Sequence, residues 1–170
     1  TCGGGYRAVR ADVNNTFSVT FTPPDRVINL YNIFMQDEIA LVEDELFFTA
    51  GCKVERNDFT RFEAQPTGRL LWAIDKRKSA WAAISRAVRT PSIGEEDATV
   101  ITPPVYPGIP LFPRISGNHD LKSEMLMAYE MGYRVQATDR FSWDLALFFN
   151  RYDDLRTVNF VIPGLNDPPY

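Results

Sequence analysis

The chain has 170 residues, of which 45% are hydrophobic, 24% charged and 13% aromatic, with a formal net charge of -4. That length suits one ordinary domain, and the mild acidity, with no block of like charge, gives no support for nucleic-acid binding. No apolar stretch reaches the about 20 residues that a transmembrane helix needs, but barrel strands need only about 9–11, half of them polar.

The sequence opens on Thr1-Cys2-Gly3-Gly4-Gly5, in mid-pattern and without a charged leader, which leads us to expect a segment of a longer protein. Residues 4–13, Gly-rich and basic, predict a first strand. Residues 14–26 follow as a loop marked by Asn14-Asn15 and Pro23-Pro24, and residues 27–41 predict a second strand with mixed faces. Val42-Glu43-Asp44-Glu45 is a short polar turn. Residues 46–58 then alternate, with Leu46, Phe48, Ala50, Cys52 and Val54 opposing Phe47, Thr49, Gly51, Lys53, Glu55 and Asn57. Residues 62–75 and 78–89 predict two more strands around the turn Asp75-Lys76-Arg77, with Trp72 and Trp81 near their ends, where interfacial aromatics belong.

Residues 90–121 form a long outer loop rich in Pro and Gly, too long to be a structureless connection inside a compact domain. Its Pro103-Pro104, Pro107, Pro110 and Pro113 oppose regular structure, and the interleaved Ile101, Val105, Tyr106, Ile109, Leu111 and Phe112 suggest that it packs on something. Alternation returns in residues 123–136, where Met125, Met127, Tyr129, Met131, Tyr133 and Val135 share a face. It is clearest in residues 140–152, where Phe141, Trp143, Leu145, Leu147 and Phe149 do so. Residues 157–170 read as the start of another outer loop.

The strands are long, about 12–14 residues against the usual 5–6, enough to cross a bilayer at a tilt. Short polar turns alternate with the other connections, which are long loops except for the short link at residues 57–61, so the two kinds fall at opposite rims, as in outer-membrane barrels, and the first strand runs outward. The expected fold is all-β, an antiparallel meander of about seven long strands.

Three stretches carry a family resemblance. Asn32-Ile33-Phe34-Met35-Gln36-Asp37-Glu38, a turn, and Phe48-Thr49-Ala50-Gly51-Cys52-Lys53-Val54-Glu55 form the first. The second runs from Trp81 through Ser85-Arg86-Ala87-Val88-Arg89-Thr90-Pro91-Ser92. The third is Gly117-Asn118-His119-Asp120-Leu121-Lys122-Ser123-Glu124, continuing to Tyr129-Glu130-Met131-Gly132-Tyr133, with His119 and Ser123 where prolines are usual. In this order they resemble the barrel of TonB-dependent outer-membrane receptors. The resemblance implies part of a 22-stranded transmembrane barrel, spanning residues 1–170, in the outer membrane of a Gram-negative bacterium. It implies energy-coupled uptake of a scarce nutrient such as a ferric siderophore, haem or cobalamin. The implied partners are the receptor's own plug domain, of which no sequence is found here, TonB, outer-membrane lipid and an extracellular small-molecule ligand. About seven strands leave two open edges, so an isolated piece is free to rearrange or stack as a soluble sheet.

Candidate ligand-contacting residues are Arg89 at a strand end and Tyr106, Phe112, Arg114 and His119 on the long loop, where self-packing of the loop is the competing reading. Arg86 and Arg89 differ by three positions and point to opposite faces. Glu55, Asp58, Glu130, Arg134 and Asp144 read as lumen residues tied in ion pairs between strands, and Glu95-Glu96-Asp97 as solvated loop acids. No catalytic constellation, nucleotide loop or metal signature is visible, so no enzyme activity, cofactor or metal is expected. A Cys2–Cys52 bridge is not favoured. The alternative is a soluble β-barrel or calyx that binds a small apolar ligand, with its oily face turned inward.

Overall fold

The computed structural model describes residues 1–103 and 113–157. In chain order the elements are β1 (Cys2–Asp12), β2 (Val19–Phe21), β3 (Asp25–Val42), β4 (Leu46–Asn57), β5 (Arg61–Asp75), β6 (Lys78–Arg89), α1 (Ile93–Glu96), β7 (Ala98–Ile101), β8 (Arg114–Ser116), β9 (Glu124–Thr138) and β10 (Phe141–Asp153). Seven long strands form one sheet in the order β1-β3-β4-β5-β6-β9-β10, each antiparallel to its neighbours. This is the expected meander, and each long strand covers a segment that the sequence assigned to one. The sheet ends on β1 and β10 and does not close, whereas a calyx would have to close on itself.

The registers assign each side chain to a face. Met35 pairs with Cys52, Cys52 with Pro66, and Ile33 with Val54, while Ile84 pairs with Tyr129 and Tyr129 with Phe149. The alternating apolar sets of separate strands therefore fuse into one continuous oily face. Within it Ile33 is 67% exposed and Leu147 55% exposed, and Val135 is the only hydrophobic side chain buried among the described residues. A single layer of this kind has no core of its own and relies on an apolar surrounding. The other face carries Gln36, Glu38, Lys53, Glu55, Glu130, Arg134 and Asp144, several of them paired: Lys53 with Glu55 at 2.9 Å and Arg134 with its cross-strand partner Asp144 at 2.7 Å. Glu130 and Asp144 share that face as read from the sequence, and Asp58 accepts a hydrogen bond from the Asn29 amide at 2.7 Å. Asp37 falls in register on the oily face opposite Ala50, away from the strand ends where Asp12, Asp25 and Asp153 share that parity.

Short turns join β3 to β4, β5 to β6 and β9 to β10 at one rim. Asp44 there has φ 57°, a left-handed conformation that Asp tolerates better than most residues. Trp72 stands at this rim on the oily face, with its indole nitrogen donating to Glu45 at 3.1 Å. Trp81 corrects an expectation. It shares the polar face with its register partner Gly132, lies under the Arg69 guanidinium at 5.3 Å, and is not an interfacial anchor. A side chain at position 132 would meet the ring, with Nε1 nearest and Cε2 only 2.5 Å from an added Cβ, so glycine is what admits the indole.

The β5–β6 ladder runs from Asp75↔Lys78 to Thr67↔Ser85 and stops there. Pro66 follows on β5 and has no N–H to donate, which explains the end of the ladder. Arg86 occupies the opening, donating to the Ala64 carbonyl, approaching Glu63 at 3.6 Å and meeting Met125 Sδ at 3.1 Å. Arg86 and Arg89 lie on opposite parities of β6, as their spacing predicts. Cys2 and Cys52 both pair with Met35 from opposite sides, so one whole strand separates them, and both are free.

Candidate functional site

The loops at the other rim build a second structure. Residues 13–24 contribute β2, and residues 90–123 contribute α1, β7 and β8; together these strands form a three-stranded antiparallel sheet in the order β2-β7-β8. The long loop is thus partly regular, because Ala98-Thr99-Val100-Ile101 is a short β-branched run free of proline. Two loops that spring from different hairpins are clasped to each other. Backbone bonds extend the clasp: Thr22 N–H donates to Asp97 O at 3.0 Å, Ile101 N–H to Ser18 O at 2.8 Å and Gly117 N–H to Ala98 O at 2.7 Å. Gly117 is required there, since an added Cβ would collide with the Glu96 carbonyl and press on the Glu95 carbonyl oxygen at 2.9 Å.

Under the clasp sits an ionic cluster. Arg26, at the start of β3, donates to Glu96 Oε2 at 2.9 Å and Asp97 Oδ2 at 2.8 Å, and its guanidinium lies 4.9 Å from the Phe59 ring centre. The two acid side chains are 4% and 0% exposed. This overturns the expectation that Glu95-Glu96-Asp97 is a solvated acidic run. Nothing local betrays it, because the arginine that draws these acids inward lies about 70 positions earlier.

A second cluster fixes the end of β6. Arg89 pairs with Glu95 at 2.8 Å and Glu124 at 3.1 Å, and Arg156 pairs with the same two acids. Burial works to raise the Glu95 carboxyl, but hydrogen bonds from Ser92, Arg156 and Arg89 outweigh it and hold it at about 2. Nearby, Ser123 Oγ donates to Glu63 Oε1 at 2.6 Å and lies 3.1 Å from Thr60 Oγ1, so this serine anchors the loop to β5 where the family pattern has proline.

The sequence-derived candidates therefore part company. Arg89 has its fork engaged by two carboxylates. Arg114 is exposed on β8, opposite Ile101, and makes no ion pair among the described residues. His119 is 64% exposed and sits over the Arg26 cluster, Nε2 3.5 Å from Asp97 and Nδ1 3.7 Å from Glu96. Tyr106 and Phe112 lie outside the described residues, as do residues 158–170. A cleft of about 380 Å³ opens between α1 and the polar face, lined by Arg7, Val9, Ile28, Leu30, Asn57 and Phe59 against residues 90–94.

An open antiparallel meander with one oily face, short turns at one rim and folded loops at the other is a sector of a transmembrane β-barrel. The sequence matches the family described as "TonB dependent receptor-like, beta-barrel" over residues 1–170, and the chain belongs to that family. The structure is similar to the ferric enterobactin receptor PfeA in complex with BCV-L6, with a TM-score of 0.70 and 19% identity over 89% of this chain and 24% of that one. It is similar to a G324V mutant of PfeA from Pseudomonas aeruginosa, with a TM-score of 0.64 and 23% identity over 76% of this chain and 18% of that one. It is also similar to the siderophore receptor PirA from Acinetobacter baumannii, with a TM-score of 0.66 and 17% identity over 77% of this chain and 19% of that one. The chain thus spans about a fifth to a quarter of the receptors it resembles. A comparison with curated proteins returns no match.

Proposed function

We propose that this chain is a sector of an outer-membrane receptor for the energy-coupled uptake of a ferric siderophore, a transporter and not an enzyme. The observation that carries the reading is the loop clasp: β2, β7 and β8 form a folded platform at the rim opposite the short turns, with the polar face of the barrel beneath it. Family membership supports a receptor barrel, and the neighbours whose printed names identify a ligand are siderophore receptors. On this reading the oily face meets outer-membrane lipid and the polar face lines the lumen against the receptor's own plug. TonB drives the plug from the periplasmic side. Arg114, exposed on the platform, is the described residue we assign to ligand contact, while His119, also exposed, has its ring turned toward Glu96 and Asp97; Tyr106 and Phe112 belong to the same loop. Arg89 acts one step back, as a strut that holds α1 in place.

The test is growth of a strain deleted for the gene that encodes this chain, under iron limitation, on single ferric siderophores, haem or cobalamin-dependent medium. Loss of growth on one or more ferric siderophores, restored by the intact gene, is the expected result. Unchanged growth on all siderophores, or a defect confined to haem or cobalamin, overturns the siderophore assignment.

A further inference from the structure

Glu96 and Asp97 carry more charge than their partner returns. Arg26 is the one arginine or lysine paired with them among the described residues, so with both acids ionised the trio keeps one net negative charge away from water. Such a charge is costly unless another cation balances it. The arginine takes Glu96 Oε2 and Asp97 Oδ2. Asp97 Oδ1 is buried with no hydrogen-bond partner, on a side chain that is 0% exposed. The imidazole of His119 stands over that oxygen, and one donor atom from each of Glu96, Asp97 and His119 lies within 4.8 Å of the others.

We propose that Glu96, Asp97 and His119 form a binding site for a divalent transition-metal ion of the zinc class, which fastens the outer-loop clasp. The donor set selects the class: calcium and magnesium take oxygen ligands, whereas one imidazole nitrogen with two carboxylate oxygens suits zinc and its first-row neighbours. Bonds of about 2.0–2.2 Å to three donors in a tetrahedral arrangement place those donors about 3.4 Å apart, so a small swing of the exposed His119 ring completes the set. Arg26 is then a positioning residue: it holds Asp97 through Oδ2, which leaves Oδ1 facing His119, and holds Glu96 through Oε2, as outer-shell partners of metal ligands do. Solvent supplies the fourth position. The ion ties residues 117–119 to α1, and through Arg26 to β3. The site was invisible in the sequence because Asp97 and His119 are 22 positions apart and match no ligand spacing.

The site goes beyond the uptake reading, and its test does not use uptake. The full-length receptor, purified in detergent and stripped with chelator, is titrated with Zn²⁺ by calorimetry and with Co²⁺ by visible absorption. His119→Ala, Asp97→Asn and the distant control Asp144→Asn are run beside it. The expected result is one Zn²⁺ bound in the micromolar range or tighter, with a four- or five-coordinate Co²⁺ spectrum. Affinity should fall about tenfold or more in His119→Ala and Asp97→Asn and stay unchanged in the control. His119 is exposed, so its truncation leaves the Arg26 pairs in place and keeps the test valid even where Asp97→Asn misfolds. Equal affinity in wild type and His119→Ala overturns the site. So does a wild type that takes up no Zn²⁺.

Discussion

Replacing Arg26 with methionine keeps most of the side-chain length and deletes the guanidinium that faces Glu96 and Asp97. The two acids are almost fully buried, and Arg26 donates to them at 2.9 and 2.8 Å. Removing one partner of a buried ion pair typically costs about 3–5 kcal/mol, because the remaining charge is left desolvated. Arg26 is itself 20% exposed, which places the expected cost near the lower end, about 3 kcal/mol. The seven-stranded sheet does not depend on the clasp, so the protein relieves the penalty by opening the loops instead of unfolding. About 3 kcal/mol corresponds to roughly a hundredfold increase in the open population. Hydrogen exchange reads this directly. The amides of Thr22 and Ile101, which bond across the clasp, and of Gly117, which bonds Ala98 within the long loop, should exchange roughly a hundredfold faster in Arg26→Met. Amides between β4 and β5 should not change. Adding Glu96→Gln and Asp97→Asn to Arg26→Met removes the orphaned charges and should recover most of the protection. Unchanged exchange at the three clasp amides in the single variant would refute the argument that this ion pair holds the loops.

Three further outcomes follow from the same geometry. Leu147→Arg places a charge on the oily face of β10 and should destabilise a membrane-inserted barrel by about 2–4 kcal/mol in a lipid-vesicle unfolding titration, whereas Ala146→Arg on the lumen side should be tolerated; the reverse order would mean that the faces are assigned backwards. Glu95 is held at about 2 against an ordinary 4.5, so its contribution is fully present above about 4.5 and is lost as pH falls through about 2. Acid opening of α1, followed by exchange at the Asn118 amide that bonds Glu95 O at 3.0 Å, should shift to higher pH in Arg89→Gln, and an unmoved midpoint contradicts the cause assigned. Gly132→Ala must push Trp81 aside by about 1 Å to restore ordinary contact, at a cost of about 1–3 kcal/mol, read as a lower urea midpoint for the folded barrel; a midpoint equal to wild type would show that the ring moves freely.

Period-two alternation located β4, β9 and β10, because a strand half in oil and half in a polar lumen writes its two environments into successive residues, while the other four long strands were placed between turn and loop signals. Leu147 and Phe149 against Asp144 and Asn150 show this on β10 alone. The short turns were legible for the same local reason: Glu43-Asp44-Glu45 and Asp75-Lys76-Arg77 break the alternation with polar residues. Arg86 and Arg89 were correctly sent to opposite faces by parity. Trp81 was misread, because proximity to a strand end says nothing about which face a ring occupies, and only the pairing with Gly132 decides it.

The loop site was the part that no local pattern could express. Glu95-Glu96-Asp97 reads as solvated in one dimension, since three adjacent acids repel and hydrate unless a cation is brought to them. Arg26 reaches Glu96 and Asp97 only after β3 delivers it to the long-loop rim. His119 meets them only after β7 and β8 turn the chain back. The sequence alone thus determined the strands, their faces and the rims on which the connections fall, all consequences of contacts between near neighbours. The tertiary structure alone decided which loop charges are buried and which remain open to a ligand, because a charge's surroundings are set by residues remote in the chain.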